Sequence, residues 1–175
     1  GNRFVASFLR APANVIGDGE NNIEKLISIK NEKRKLNPRL TDDFISDMPA
    51  ISKFLALTGR SLETVPGNGE KVVLLDTSSV LAGGDPVDTT HEKIGDLAEM
   101  SEAACKAMDI AVSGLDVIVR EENGEKVAYV LELNQKPHIS AQPFPMDSAG
   151  SGNIVAEAII DYYFPETVNH QTKPR

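Results

Sequence analysis

The 175-residue sequence has no tryptophan, one cysteine and only 5% aromatic residues. The lone thiol, Cys105, excludes an internal disulfide and favours a reducing, cytoplasmic setting. Positive charge is also scarce: 18 basic residues face 26 acidic ones, for a net charge of −8. That balance argues against non-specific binding to nucleic acid or to an anionic membrane, because both need a basic face. No apolar run approaches the ~20 residues that cross a bilayer, and no signal-peptide pattern opens the chain. There is no nucleophilic-serine motif and no Gly-x-x-x-x-Gly-Lys-Ser/Thr phosphate loop. An initiator methionine is missing too. The chain runs almost at once into the strand-like Phe4–Leu9, a sheet edge with no partner before it, which reads as a fragment whose upstream half is missing; a processed N-terminus is the alternative, and composition does not separate the two.

What is present is ordinary for a soluble globular domain: 41% hydrophobic and 25% charged residues, in a length that can bury a real core. Residues 3–10 and 12–16 read as two strands broken at Pro12. Gly17-Asp18-Gly19 is a turn, followed by a helix capped by Asn21 with the inner stripe Ile23, Leu26, Ile27 and the stem of Lys30. The basic cluster Lys30, Lys33, Arg34 and Lys35 reads as a solvated face of that helix. Asp47 caps a second helix over 48–58, with Pro49 in its first turn and Gly59 as its stop. A strand over 71–75 enters a loop over 76–90. Thr89 and Glu92 form a capping box for a long helix over about 90–111, with the stripe Ile94, Leu97, Ala98, Ser101, Ala104, Cys105 and Met108. Strands over 114–120 and 126–133 and a last helix over about 151–163 complete the pattern, before a polar tail at 167–175. The expected fold class is α+β, a mostly antiparallel sheet with helices packed on it.

The chemistry concentrates in the last two strands. Asp116, Glu132 and Asn134 are polar residues in strands whose other members are core formers. Glu132 and Asn134 share one face; whether Asp116 joins them depends on the hairpin register. A two-residue Asn123-Gly124 turn places Glu132 among Leu115, Val117 and Val119. A three-residue loop, Glu122-Asn123-Gly124, shifts the parity and gathers Asp116, Glu132 and Asn134 on one face. Burying a carboxylate among aliphatic side chains costs several kcal/mol, so the three-residue loop is the expected arrangement. Two carboxylates held together repel unless a cation lies between them. An all-oxygen donor set without Cys or His points to a hard ion, Mg²⁺ with Mn²⁺ as a substitute, and Mg²⁺ commonly borrows phosphate oxygens from a substrate such as ATP. The bland alternative pairs Asp116 and Glu132 with Arg or Lys at the hairpin end.

Other candidates carry less. Gly83-Gly84 could turn backbone N–H groups toward an anion, although paired glycines more often make a turn. Arg10, at a strand end, could contact a phosphate. His91, His138 and His170 lack metal-like spacing.

At these residues the sequence resembles the ATP-grasp family. Gly114-Leu-Asp116, followed by Leu131-Glu132-Leu-Asn134-Gln-Lys-Pro137, looks like its metal-binding strands. Leu9-Arg10-Ala-Pro-Ala-Asn-Val-Ile-Gly-Asp-Gly19 and Ala82-Gly-Gly-Asp85-Pro-Val-Asp88 are similar to cyanophycin synthetase. They are also similar to the ATP-grasp half of the bifunctional glutamate–cysteine ligase/glutathione synthetase, and the terminal Tyr162-Tyr-Phe-Pro-Glu166 favours this second relative. The resemblance spans about residues 3–166 and implies the C-terminal part of an ATP-grasp domain. It implies an ADP-forming ligase that joins a carboxylate to an amine through an acyl phosphate, with glutathione synthesis from γ-glutamylcysteine and glycine foremost. By the same resemblance Asp116 and Asn134 would each hold one of two Mg²⁺ ions, with Glu132 bridging both. Arg10 would contact the transferring phosphate or the substrate carboxylate, and Ser79, Gly83 and Gly84 would line the acceptor end. The family's nucleotide-binding lysines would lie upstream of residue 1, leaving the chain inactive alone. An upstream ligase domain is implied, and the outer face of the 90–111 helix leaves room for self-association. Leu74-Leu75-Asp76 departs from relatives, which place an arginine at the end of that strand and Asn where Ser79 stands. A non-catalytic nucleotide-binding module is the rival reading.

Overall fold

Two compact units make up the computed structural model, which describes residues 3–92, 96–146 and 150–167. The first, called here the core unit, comprises residues 8–88 and 143–150. The second, the hairpin unit, comprises residues 1–7, 89–142 and 151–175.

In the core unit, β1 (Phe8–Ala11) and β2 (Asn14–Ile16) are separated at Pro12-Ala13, as the proline predicts. α1 (Ile23–Leu36) buries Ile23, Leu26 and Ile27. Its cap is Asn22, whose side-chain oxygen accepts from Lys25 N at 2.9 Å. The expected cap, Asn21, instead donates its side-chain amide to Asp18. Asp18 also accepts from the backbone of Asn21 and Glu20, and these bonds, Asn21's first, hold its carboxyl down at about 2. The helix ends at Asn37, ahead of Pro38. α2 (Met48–Ala56) begins on Asp47, which accepts from Ala50 N at 3.1 Å, and stops before Gly59 at φ +70°. β3 (Lys71–Val73) pairs antiparallel with β2. The stretch expected to be one loop over 76–90 contains a 3-10 turn at Val80–Ala82 and a further strand, β4 (Asp85–Asp88), antiparallel to β1. Pro86 concealed that strand, since proline cannot donate to a ladder. Here it sits in a two-stranded pair opposite Arg10, and its carbonyl accepts from Met146 N. Ala13, Val15, Ile27, Ile51, Leu55, Val72 and Leu74 form the apolar centre.

The basic cluster on α1 is not a solvated face. Lys33 and Lys35 are exposed, but Lys30 and Arg34 are buried, continuing the stripe of Ile23 and Ile27. Lys30 Nζ lies 2.5 Å from Asp85 Oδ2 and donates to the Asn14 carbonyl at 2.8 Å. Arg34 Nη1 reaches Asp85 Oδ1 at 2.8 Å. Asn14 Nδ2 donates to Asp85 Oδ2 at 2.9 Å. Burial lowers the pKa of Arg34 from its ordinary value, against the opposing pull of Asp85 and Asp43.

In the hairpin unit, residues 3–7 run beside Thr89-Thr90 and α3 (Leu97–Ala107). Ser7 Oγ and Thr89 Oγ1 are 2.8 Å apart, and Phe4 N donates to Glu102 Oε1 at 2.7 Å. Thr89 is therefore taken up by Ser7 rather than capping a helix, and α3 begins at Leu97, later than expected. Of its expected stripe, Leu97 is buried, Ala98, Ser101, Ala104 and Cys105 are half-buried, and Met108 is 62% exposed. Ile94 lies outside the described residues. β5 (Gly114–Glu122) and β6 (Glu125–Asn134) form an antiparallel ribbon, and α4 (Ile154–Tyr163) follows. The tail over 168–175 also lies outside the described residues. Strand pairing is antiparallel among the described residues, as expected, but in three two-stranded sheets rather than one continuous sheet.

Asp85→Ala would leave Lys30 and Arg34 buried without their carboxylate. It should cost about 3–5 kcal/mol of unfolding free energy, measured by denaturant titration. A loss under about 1 kcal/mol would mean that the ion pairs are not organising the core unit.

Candidate functional site

Asp116, Glu132 and Asn134 are brought to one face of the hairpin unit's ribbon, by a route different from the expected one. The turn is the two-residue Asn123-Gly124, both residues at positive φ (53° and 82°), with Glu122 opposite Glu125. This is the φ > 0 pair that a tight hairpin needs. Continued without interruption, that register would place Asp116 opposite Leu131 and Glu132 opposite Leu115. A β-bulge between Asp116 and Val117 prevents this: Val117 pairs with Val130, Asp116 pairs with Glu132, and Leu131 is the extra residue. The three-residue loop is thus corrected to a two-residue turn plus a bulge. Both insert one residue, so both give the same parity around Glu132. Nearer the turn the parity differs, and Tyr129 stands opposite Ile118.

The bulge gives the ribbon one apolar face from Leu115, Val117, Val119, Ala128, Val130 and Leu133. The other face carries Asp116 directly across from Glu132, beside Gly114 opposite Asn134. Directly opposed side chains have Cβ atoms roughly 4.5–5.5 Å apart, and like charges there are destabilising. Glu122 and Glu125 are also opposed, but at the exposed tip, where water screens them. Asp116 is half-buried and Glu132 exposed. Asn134 Nδ2 donates to Glu132 Oε1 at 2.8 Å, leaving the Asn134 amide oxygen facing away from that bond. Two carboxylates and an amide oxygen are a hard donor set that suits Mg²⁺ or Mn²⁺. Among the described residues no cluster of three or more His, Cys, Asp or Glu side chains is placed to hold a metal. Any centre here therefore depends on the asparagine as well as the two carboxylates.

The remaining candidates lie in the core unit. Arg10 is exposed on β1, 5.9 Å from the Phe8 ring centroid on the same strand face. Gly83 and Gly84 are buried, and their N–H groups donate to the carbonyls of Val80 (3.0 Å) and Ser79 (2.9 Å). The amides that could have faced an anion are therefore used inside the loop, and the paired glycines make a turn, the commoner of the two readings. The glycines are required sterically instead. A Cβ on Gly84 would stand 2.6 Å from the Ala11 carbonyl oxygen, and Gly83 has φ +88° with Ile45 against it. Ser79, half-buried, starts the 3-10 turn. The Lys30–Arg34–Asp85–Asn14 cluster beneath this loop escaped the sequence reading. The signal was available: Arg34 lies four residues after Lys30 and seven after Ile27, on one helical stripe.

No protein-family model matches the chain. It is 32% identical over 173 residues to the glutathione biosynthesis bifunctional protein of Clostridium perfringens, covering 94% of this chain and 22% of that protein. With its Desulfotalea psychrophila counterpart it shares 30% identity over 149 residues, 81% of this chain and 19% of the other. The crystal structure of a bifunctional glutathione synthetase from Pasteurella multocida superposes with TM-score 0.79 at 27% identity, over 95% of this chain and 23% of that one. The chain is a homologue of the bifunctional glutathione-biosynthesis proteins. It spans about a fifth of the length of these relatives. The fold relationship expected from the ATP-grasp resemblance is borne out, and the bifunctional glutathione enzyme is the relative that was favoured. No helix among the described residues is long and apolar enough to cross a membrane.

If the opposed carboxylates form a cation site, Mn²⁺ added to the chain should broaden the amide resonances of Asp116, Glu132 and Asn134 first. Glu132→Gln should remove that selectivity while changing stability by no more than about 1 kcal/mol. Equal broadening at the tip residues Glu121, Glu122 and Glu125 would count against the site.

Proposed function

We propose that this chain supplies the metal-holding part of an ADP-forming ligase that makes glutathione from γ-glutamylcysteine and glycine. The observation that carries the reading is the bulged ribbon, which sets Asp116, Glu132 and Asn134 on one face, in a chain homologous to glutathione-biosynthesis proteins over nearly its whole length.

Asp116, Glu132 and Asn134 would be the side chains that hold Mg²⁺, offering two carboxylates and an amide oxygen. Mg²⁺, when bound with ATP, neutralises charge on the transferring phosphate. The chain's own part is positional. The ribbon fixes the donors at set spacing, so they need no reorganisation as charge develops. By the family resemblance, Arg10, exposed on β1, is the residue assigned to the transferring phosphate or the substrate carboxylate. By the same resemblance, Ser79, which starts the 3-10 turn, and the Gly83-Gly84 loop that follows it are assigned to the amine component. The γ-glutamylcysteine carboxylate takes the γ-phosphoryl group of ATP and releases ADP; attack of the glycine amine on that acyl phosphate, with loss of a proton from nitrogen, forms the amide bond and expels phosphate.

The test is a chimera in which residues 3–166 replace the matching stretch of the Clostridium perfringens relative. Phosphate release should require both γ-glutamylcysteine and glycine, and Glu132→Gln should reduce it at least ~100-fold. Release that answers to arginine or aspartate instead of glycine would keep the ligase and move the substrate. A chimera that folds and binds ATP but releases no phosphate with any amine would contradict the reading and favour a non-catalytic nucleotide-binding module.

A further inference from the structure

We infer that Arg34, oriented by Asp85, is a positioning residue that holds the Ser79–Gly84 loop in a single conformation from beneath. Its guanidinium is fully buried and uses several donors at once. Nη1 is paired with Asp85 Oδ1 at 2.8 Å, and Nε donates to the Asp43 carbonyl at 2.5 Å. Nη2 donates to the Gly84 carbonyl at 3.1 Å and to the Val80 carbonyl at 3.4 Å. Arg34 therefore grips the loop at both ends of its 3-10 turn. The loop's own bonds, Gly83 N to Val80 and Gly84 N to Ser79, use the same short stretch of backbone. Asp85 is the first residue of β4, where it pairs with Ala11, the neighbour of Arg10. Its second oxygen is held by Lys30 and Asn14. Asp85 thus links α1 and β2 through its carboxylate and β1 through strand pairing, and Arg34 carries that frame to the Val80 and Gly84 carbonyls.

A lysine could keep the charge pair with Asp85 but cannot form a planar fork that serves Asp85, Asp43, Gly84 and Val80 together. Fork geometry, not charge, is the property that matters here. The consequence for chemistry rests on the reading above, in which the loop holds the amine component. The structural claim does not.

The experiment compares Arg34→Lys with the parent in two settings. In the 175-residue chain, amide hydrogen exchange should quicken about tenfold at Gly83 and Gly84, the loss of one buried charge-assisted bond. Exchange at Ile51 and Leu55 in α2 should stay within about twofold. Unchanged loop exchange overturns the inference. So does equal quickening at all four positions, because Arg34 would then support the whole unit and not the loop. In the chimera, KM for the amine should rise about tenfold, while kcat and KM for ATP stay within about twofold. A fall in kcat alone would overturn the positioning role in the reaction. If the unsubstituted chimera makes no product while loop exchange responds as stated, the functional reading fails and the inference about the loop stands.

Discussion

One inserted residue decides what the β5–β6 ribbon can do. A strand alternates its side chains between two faces, so a shift of one position exchanges the whole set. With the tight Asn123-Gly124 turn and no bulge, Glu132 would face Leu115 and Asp116 would face Leu131. The bulge at Leu131 removes that conflict, leaving one apolar face and, at the open end of the other, the oxygen donors Asp116, Glu132 and Asn134. Leu131 itself bears the cost, standing 62% exposed. Such a bulge re-aims side chains locally while the remainder of the ladder keeps its hydrogen bonding.

The core unit meets a different constraint with comparable economy. Its loop needs two glycines because Ile45 and the Ala11 carbonyl leave no room for side chains. Glycine gives a loop close approach but also more ways to move. The buried ions beneath supply the restriction the glycines lack. Buried ion pairs are weak contributors to net stability, since desolvation cancels much of the attraction, but a broken one is severely destabilising. Asp85, with Lys30, Arg34 and Asn14 all on its two oxygens, is therefore suited to specifying an arrangement more than to strengthening it.

Much of this was legible in the sequence, and the failures have physical causes. The stripe Ile23, Leu26, Ile27 and Lys30, the Asp47 cap and the stop at Gly59 were readable because helix periodicity and capping are local. The shared face of Asp116, Glu132 and Asn134 was reached from the cost of burying a carboxylate. The same argument could not distinguish a longer turn from a bulge, because both restore the same parity. Pro86 hid β4, since a strand containing proline is tolerated only where its N–H is not needed. Thr89 and Glu92 have capping-box spacing, but Ser7, distant in sequence, takes the Thr89 hydroxyl. Arg34 was read as solvated because four of its near neighbours in sequence are charged; its burial depends on Asp85, fifty-one positions away. Periodicity and most local signals survived, although the α1 cap fell one residue later, on Asn22; those that needed a distant partner did not.

The most direct measurement is anomalous diffraction from crystals of the chimera grown with Mn²⁺ and ADP. The account predicts manganese peaks bounded by side-chain oxygens of Asp116, Glu132 and Asn134, with Glu132 common to both ions. Manganese held elsewhere, with those three side chains in contact with no ion, would contradict it.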